Sequence, residues 1–223
     1  MRLPFFIVSA AGTKSWFVPH ALEFLGNWCP RVIVEPFAGS GIVGLTLLHE
    51  LSRRGCDTRL VLAERNPKYL AYWHTALYDP NFSYRVAQWT EKAFRLPLQE
   101  RRAFVMASLE DMKHNDPGFW TLLRSRTSHN RNPTAGFTGE NQRGGILRSW
   151  PRNLDQSLDL LYRLRRQITV MEDGFAALAA FDHEDAYAFI DSPYTMTAKC
   201  PGHALYEYAT IARRSAYGRG LGC

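Results

Sequence analysis

Apolar residues fall along this chain in short unbroken runs separated by longer segments with helical spacing. Val32-Ile33-Val34-Glu35 is the first such run. Four residues without polar alternation suit a parallel strand covered on both faces. Residues 18–28 ahead of it read as a helix leading to Pro30, and glycines open an apolar helix over Ile42–Leu51. Leu60–Ala63 is a second short strand ending at Glu64. Pro67 then opens another helix, at a first-turn position that suits proline. Such a β-α-β-α series is the mark of a doubly wound α/β sheet.

The alternation stops near residue 80. Residues 80–125 read as helices rich in charge, and 124–153 as a loop-rich, arginine-bearing stretch. Leu154–Arg166 returns to helix, Ile168–Met171 is a third strand, Phe175–Phe181 a short helix and Ala186–Ile190 a fourth strand. No internal repeat or low-complexity tract interrupts this order. The simplest division is a sheet domain built from 1–79 and 154–208, an inserted region over 80–153 and an irregular tail over 209–223.

Composition narrows the class. The chain has 223 residues, 46% of them hydrophobic, which is enough to bury a proper core. A formal charge of +6 favours a polyanionic partner. No apolar run is long enough to span a membrane. The start, Met1–Ala11, loosely mimics a signal peptide, but it is short and broken by Pro4, so it reads as part of the folded domain. The four cysteines (Cys29, Cys56, Cys200, Cys223) are scattered without a C-x-x-C pair. That spacing indicates neither a zinc site nor a disulfide framework, and points to incidental thiols in a cytoplasmic protein. The histidines show no metal spacing.

Two strand endings carry the candidate chemistry. Gly39-Ser40-Gly41-Ile42-Val43-Gly44 matches G-x-G-x-x-G, and Glu64 lies twenty residues past Gly44. Glycine lets the backbone approach a nucleotide cofactor, while an acid at the end of the next strand accepts hydrogen bonds from ribose hydroxyls. Taken alone, this motif also fits an NAD-dependent oxidoreductase. The second ending is Asp191-Ser192-Pro193-Tyr194, after Ala188-Phe189-Ile190. It offers a carboxylate, a backbone carbonyl, a proline-locked turn and an aromatic face, a set that suits a planar amino-bearing base.

The longer turn Glu35-Pro36-Phe37-Ala38 before the glycines, together with Asp191-Ser192-Pro193-Tyr194, resembles the amino-group DNA methyltransferases, most closely the DNA adenine methylase family. The family's own second motif is Asp-Pro-Pro-Tyr, so Ser192 is a departure that keeps the carbonyl. The resemblance implies a Rossmann-like methyltransferase fold, S-adenosylmethionine as cofactor and site-specific methylation of the adenine amino group in double-stranded DNA. It further implies that Asp191 and the Ser192 carbonyl accept the two amino N–H groups, with Pro193 shaping the turn and Tyr194 stacking on an extruded base. On the cofactor side it implies Lys14 (in Gly12-Thr13-Lys14), Glu35, Pro36, Phe37, Gly39, Gly41, Glu64, Asp173 and Asp191. Asp173 serves equally well as a helix N-cap.

The stretch from Trp120 to Gly145 resembles the family's target-recognition region. Six arginines over 124–153 face one acid, Glu140, and Arg124, Arg126, Arg131, Arg143 and Arg148 are the expected DNA contacts. Restriction systems are a common home for such enzymes, which makes a cognate nuclease a conceivable partner. Family members continue past this motif with helices and about three more strands, whereas little follows Tyr208 here. This reading makes the chain a truncated methylase whose Asp191 strand is a sheet edge open to self-association. The alternative is a catalytically inactive DNA-binding remnant of the same family.

Overall fold

A computed structural model describes residues 8, 14–128, 147, 150, 151 and 153–191. The chain divides into two compact units, Met1–Ile190 and Asp191–Cys223. Of the second, only Asp191 lies among the described residues.

The first unit is an α/β structure around a four-stranded, all-parallel sheet. The strands are β1 (Val32–Glu35), β2 (Arg59–Ala63), β3 (Ile168–Met171) and β4 (Ala186–Ala188), in the order β3-β2-β1-β4. The helices are α1 (Val18–Leu25), α2 (Ile42–Arg53), α3 (Pro67–Tyr78), α4 (Phe82–Arg95), α5 (Leu98–Asn115), α6 (Pro117–Thr127), α7 (Leu154–Leu164) and α8 (Gly174–Ala180). The four expected strands are all present. β4 is shorter than expected because its partner β1 ends at Glu35. The Phe189 N–H still donates to Val34 O at 2.9 Å, and there the ladder stops.

Alternation within each strand sends side chains to two covered faces. Ile33, Leu60, Leu62 and Ile168 join a large apolar cluster with α1, α2 and α3, while Val32, Val34, Val61 and Ala63 face Ala177 of α8. Helices therefore cover both faces, which is why the strands read as continuous apolar runs. Most of α2 is buried, from Ile42 through Leu48 and again at Leu51. The buried Thr46 hydroxyl donates to Ile42 O at 2.6 Å.

The charged helices after residue 80 pack into the same cluster through Phe82, Val86, Trp89, Val105, Leu109, Phe119, Leu122 and Leu123. α6 runs to Thr127, so Arg124 and Arg126 sit on a helix where a loop was expected. Its sequence starts it cleanly: Asp116 Oδ1 accepts the Phe119 N–H at 3.1 Å, and Pro117 fills the first turn.

The amino ends of β1 and β2 are cross-tied. Thr58 Oγ1 donates to Pro30 O at 2.7 Å, and Arg54 Nη1 donates to Gly26 O at 2.7 Å. A disulfide joins Cys29 to Cys56 across a sequence separation of 27. This corrects the expectation of four incidental thiols. Residues 27 apart show no pairing signal in sequence, but the parallel pairing of β1 and β2 brings the segments before them within 5.6 Å, Cα to Cα. Cys200 and Cys223 lie outside the described residues. No described helix is long and apolar enough to cross a membrane.

Candidate functional site

The strand order reverses at β1. From β1 the chain steps outward to β2 and β3, then returns to place β4 on the other side of β1. In parallel sheets such a reversal opens a crevice beyond the carboxyl ends of the two central strands. At that end the chain gathers the turn after β1, the acid after β2 and the turn after β3.

The turn after β1 depends on glycine conformations. Gly39 and Gly41 have φ of 48° and 60°, in the left-handed region that side chains disfavour. Gly41 forms the N-cap of α2, and a Cβ there would meet the Trp73 ring at 2.9 Å. Gly44 has a different task. A Cβ there would lie 2.6 Å from Glu35 Oε2 and 2.7 Å from Leu60 Cδ1, so glycine allows α2 to press against β1 and β2.

Two carboxylates hold this turn. Glu35 is buried, and its Oε2 accepts the Gly44 N–H at 2.8 Å. It thus satisfies one of the donors that the first turn of α2 leaves open. Glu64 spans two loops: Oε2 accepts the Gly39 N–H at 2.8 Å and Oε1 accepts the Asn66 N–H at 2.8 Å. Burial pushes the Glu64 pKa up from its ordinary value, opposed by the backbone N–H groups of Asn66, Gly39 and Arg65. The Ala38 N–H donates to Ala63 O at 2.9 Å, and the Glu64 N–H to Met171 O at 2.9 Å, locking the three strand ends together. Asn66 caps α3 by accepting the Lys68 N–H at 3.0 Å.

Asp173 caps α8. Its Oδ1 accepts the N–H groups of Phe175 at 2.8 Å and Ala176 at 3.0 Å. The next residue, Gly174, lies so close to the turn after β1 that a Cβ would sit 2.1 Å from Pro36 O. This contact sets the Phe175 ring 5.9 Å from the Phe37 ring, edge to face, with Phe175 largely exposed. Lys14 precedes a short 3-10 turn, Ser15–Phe17, and the Phe17 ring packs 5.0 Å from Phe189 just past β4. Between β1 and β4, burial raises the Tyr187 pKa and the neighbouring Glu35 charge adds to the rise.

The first unit thus brings Pro36, Phe37, Gly39, Gly41, Glu64 and Asp173 to the carboxyl ends of its strands, with Glu35 buried beneath them. Asp191 follows Ile190 and opens the second unit. Ser192, Pro193 and Tyr194, and likewise Arg131, Arg143 and Arg148, lie outside the described residues. Arg126 does not fit the expected role of a surface phosphate contact. It is 5% exposed, and its charge acts on the fully buried Tyr72 hydroxyl, because the last turn of α6 packs inward against α3. Arg124 is half-buried, and burial lowers its pKa.

Sequence reasoning missed Gly44, Gly174, Phe175, Trp73 and Tyr187 as parts of this end of the molecule. Gly44 had a signal, the third glycine of the motif; the others depend on packing between elements distant in sequence. Among the described residues, no group of three or more His, Cys, Asp or Glu side chains is arranged to hold a metal. No protein-family model and no curated protein matches the chain.

Proposed function

We propose that this protein is a doubly wound, Rossmann-like S-adenosylmethionine-dependent methyltransferase acting on the adenine amino group in DNA. The observation that carries the reading is the strand order β3-β2-β1-β4. It sets the glycine turn after β1 beside β4, the strand from which the chain proceeds to Asp191-Ser192-Pro193-Tyr194. The two motifs are remote in sequence, and the strands that precede them are neighbours.

The residues fit a nucleoside cofactor. Glu64 accepts the Gly39 and Asn66 N–H groups, the Arg65 N–H also acts on it, and a carboxylate accepts about four hydrogen bonds, so capacity remains for a ribose hydroxyl. Gly39 presents bare backbone, and Phe37 and Phe175 present aromatic surface near it. S-adenosylmethionine supplies an electrophilic methyl group at a sulfonium.

Adenine's amino nitrogen is a poor nucleophile because its lone pair is delocalised into the ring. In this reading the Asp191 carboxylate and the Ser192 carbonyl accept its two N–H groups, which draws the lone pair back to nitrogen and aims it. Tyr194 supplies a stacking face for a base taken out of the duplex. Positioning of this kind is worth roughly 7–11 kcal/mol of a barrier.

The test is transfer of labelled methyl groups to unmethylated DNA, with Asp191→Ala as control. Wild type labels DNA and the variant loses nearly all labelling; equal labelling by both would overturn the catalytic assignment. Calorimetric titration with S-adenosylmethionine against NAD decides the cofactor independently of turnover.

A further inference from the structure

Cys29 and Cys56 are unequal partners in their disulfide. Cys29 lies in the turn from α1 to β1, where Gly26, Asn27, Trp28 and Cys29 are all exposed. Cys56 lies in the turn from α2 to β2, is 8% exposed and belongs to the main apolar cluster. Its N–H donates to Leu51 O at 3.0 Å, which fixes it against the end of α2. In thiol–disulfide exchange a thiolate attacks one sulfur while the other leaves, so access decides which sulfur is attacked. Here solvent meets the Cys29 residue and not Cys56. Arg31 stands exposed two residues past Cys29, and Arg54 Nη1 holds the same turn by donating to Gly26 O at 2.7 Å. Asp57, next to Cys56, is the acid of this surface. Exposed surroundings with cations at hand suit an incoming thiolate.

The turn that the bond holds is joined to β4. The Arg31 N–H donates to Asp185 O at 2.9 Å, directly before β4 begins. Along α1, the Phe24 ring lies 6.1 Å from Tyr187 and the Phe17 ring 5.0 Å from Phe189, centre to centre. Phe24 stays 74% exposed, so its contact buries little apolar surface and depends on α1 being held in place. β4 is an edge strand with β1 as its neighbour. The glycine turn has separate fastenings, from Glu35 to Gly44 and from Glu64 to Gly39.

We propose that the Cys29–Cys56 bond is a thiol-exchange site, with Cys29 the sulfur attacked by low-molecular-weight thiols, and that its opening loosens α1 on β4 while the glycine turn stays fastened. In the first step a thiolate bonds to Cys29 Sγ. The Sγ–Sγ bond breaks, and its electron pair leaves on Cys56 Sγ, which takes a proton from solvent. A second thiolate then attacks the reagent's sulfur in the mixed disulfide. This releases Cys29 as a thiolate, also protonated from solvent, and the oxidised dimer of the thiol. The protein bond gains two electrons and the two thiols lose them; the oxidised dimer reverses both steps. The proposal goes beyond the methyltransferase reading and does not rest on it.

The experiment uses the full oxidised chain in native buffer. Any free thiol is first alkylated. Reduced glutathione is added at rising concentration, and newly released thiols are trapped with a second alkylating reagent of different mass. Peptide mass mapping is expected to place nearly all of the first glutathione adduct on Cys29 and the second alkyl group on Cys56. With oxidised glutathione, Cys56→Ser takes an adduct on Cys29 in native buffer, whereas Cys29→Ser takes one on Cys56 only in urea. Thermal melts check that both variants fold, and the wild-type map decides the matter without them. Hydrogen exchange at short labelling times, which reports local opening, is expected to be faster in the reduced chain over residues 18–31 and 186–189 and unchanged over 39–44. An adduct chiefly on Cys56, or a bond that glutathione opens only under unfolding conditions, would overturn the exchange site. Equal acceleration in both regions, or none over 18–31 and 186–189, would overturn the coupling to β4.

Discussion

Glu64 shows how one side chain couples the candidate site to stability. Its carboxylate clasps Gly39 and Asn66 from a largely buried position, and its pKa lies above the ordinary 4.5. A raised acid pKa means that the folded state binds more protons than the unfolded state in the interval between the two values. There stability falls as pH rises, since its slope follows the protons bound unfolded minus folded. Below 4.5 both states are protonated and Glu64 contributes no slope. Glu64→Gln removes this contribution. Urea unfolding of both proteins from pH 4 to pH 7 is expected to give a wild-type-minus-variant stability that declines through that interval, and a flat or rising difference would contradict it. Arg126 teaches the complementary lesson: an arginine in a basic stretch looks like a surface contact until the helix carrying it is seen to pack inward.

At the scale of the element, α6 is fixed by two residues at its start. Gly118 lets it lie against α3, and Asp116 starts it. Asp116 holds two partners, with Oδ1 capping the helix and Oδ2 pairing with Arg85, which also binds Asp79. Asp116→Ala removes both and costs about 0.5–2 kcal/mol from the cap alone. Asp116→Asn keeps a capping oxygen and recovers most of that loss, because a half-exposed ion pair is worth little. Chemical denaturation midpoints separate the two. Equal losses in both variants would move the weight from the cap to the ion pair.

The sheet of the first unit has a tied end and, opposite it, the end that carries the candidate site. The disulfide, the Thr58–Pro30 bond and the Arg54–Gly26 bond lie where β1 and β2 begin, opposite the glycine turn. Closing a loop of this length restricts the unfolded chain by roughly 3–4 kcal/mol. Reduction, or Cys29→Ser, is therefore expected to lower the melting temperature by roughly 10 °C without changing cofactor affinity. A melt insensitive to reductant would show that the bond carries no such weight. At the opposite end the strand order reverses, where β4 returns beside β1.

Local sequence settled the strands, the first-turn proline of α3 and the glycine turn. Each follows from short-range rules: an unbroken apolar run, a fixed proline φ, and a backbone angle that only glycine tolerates cheaply. Glu64 was legible because it ends its strand at a fixed interval from the glycines. What only the tertiary structure decided was which of these pieces meet. Cys29 finds Cys56, Gly174 presses on Pro36, Lys68 lies over Trp120 and Arg126 turns inward, all because parallel strand pairing and antiparallel helix packing bring together segments tens of residues apart. Such contacts leave no periodic trace along the chain, since their partners are chosen by the order of strands in the sheet.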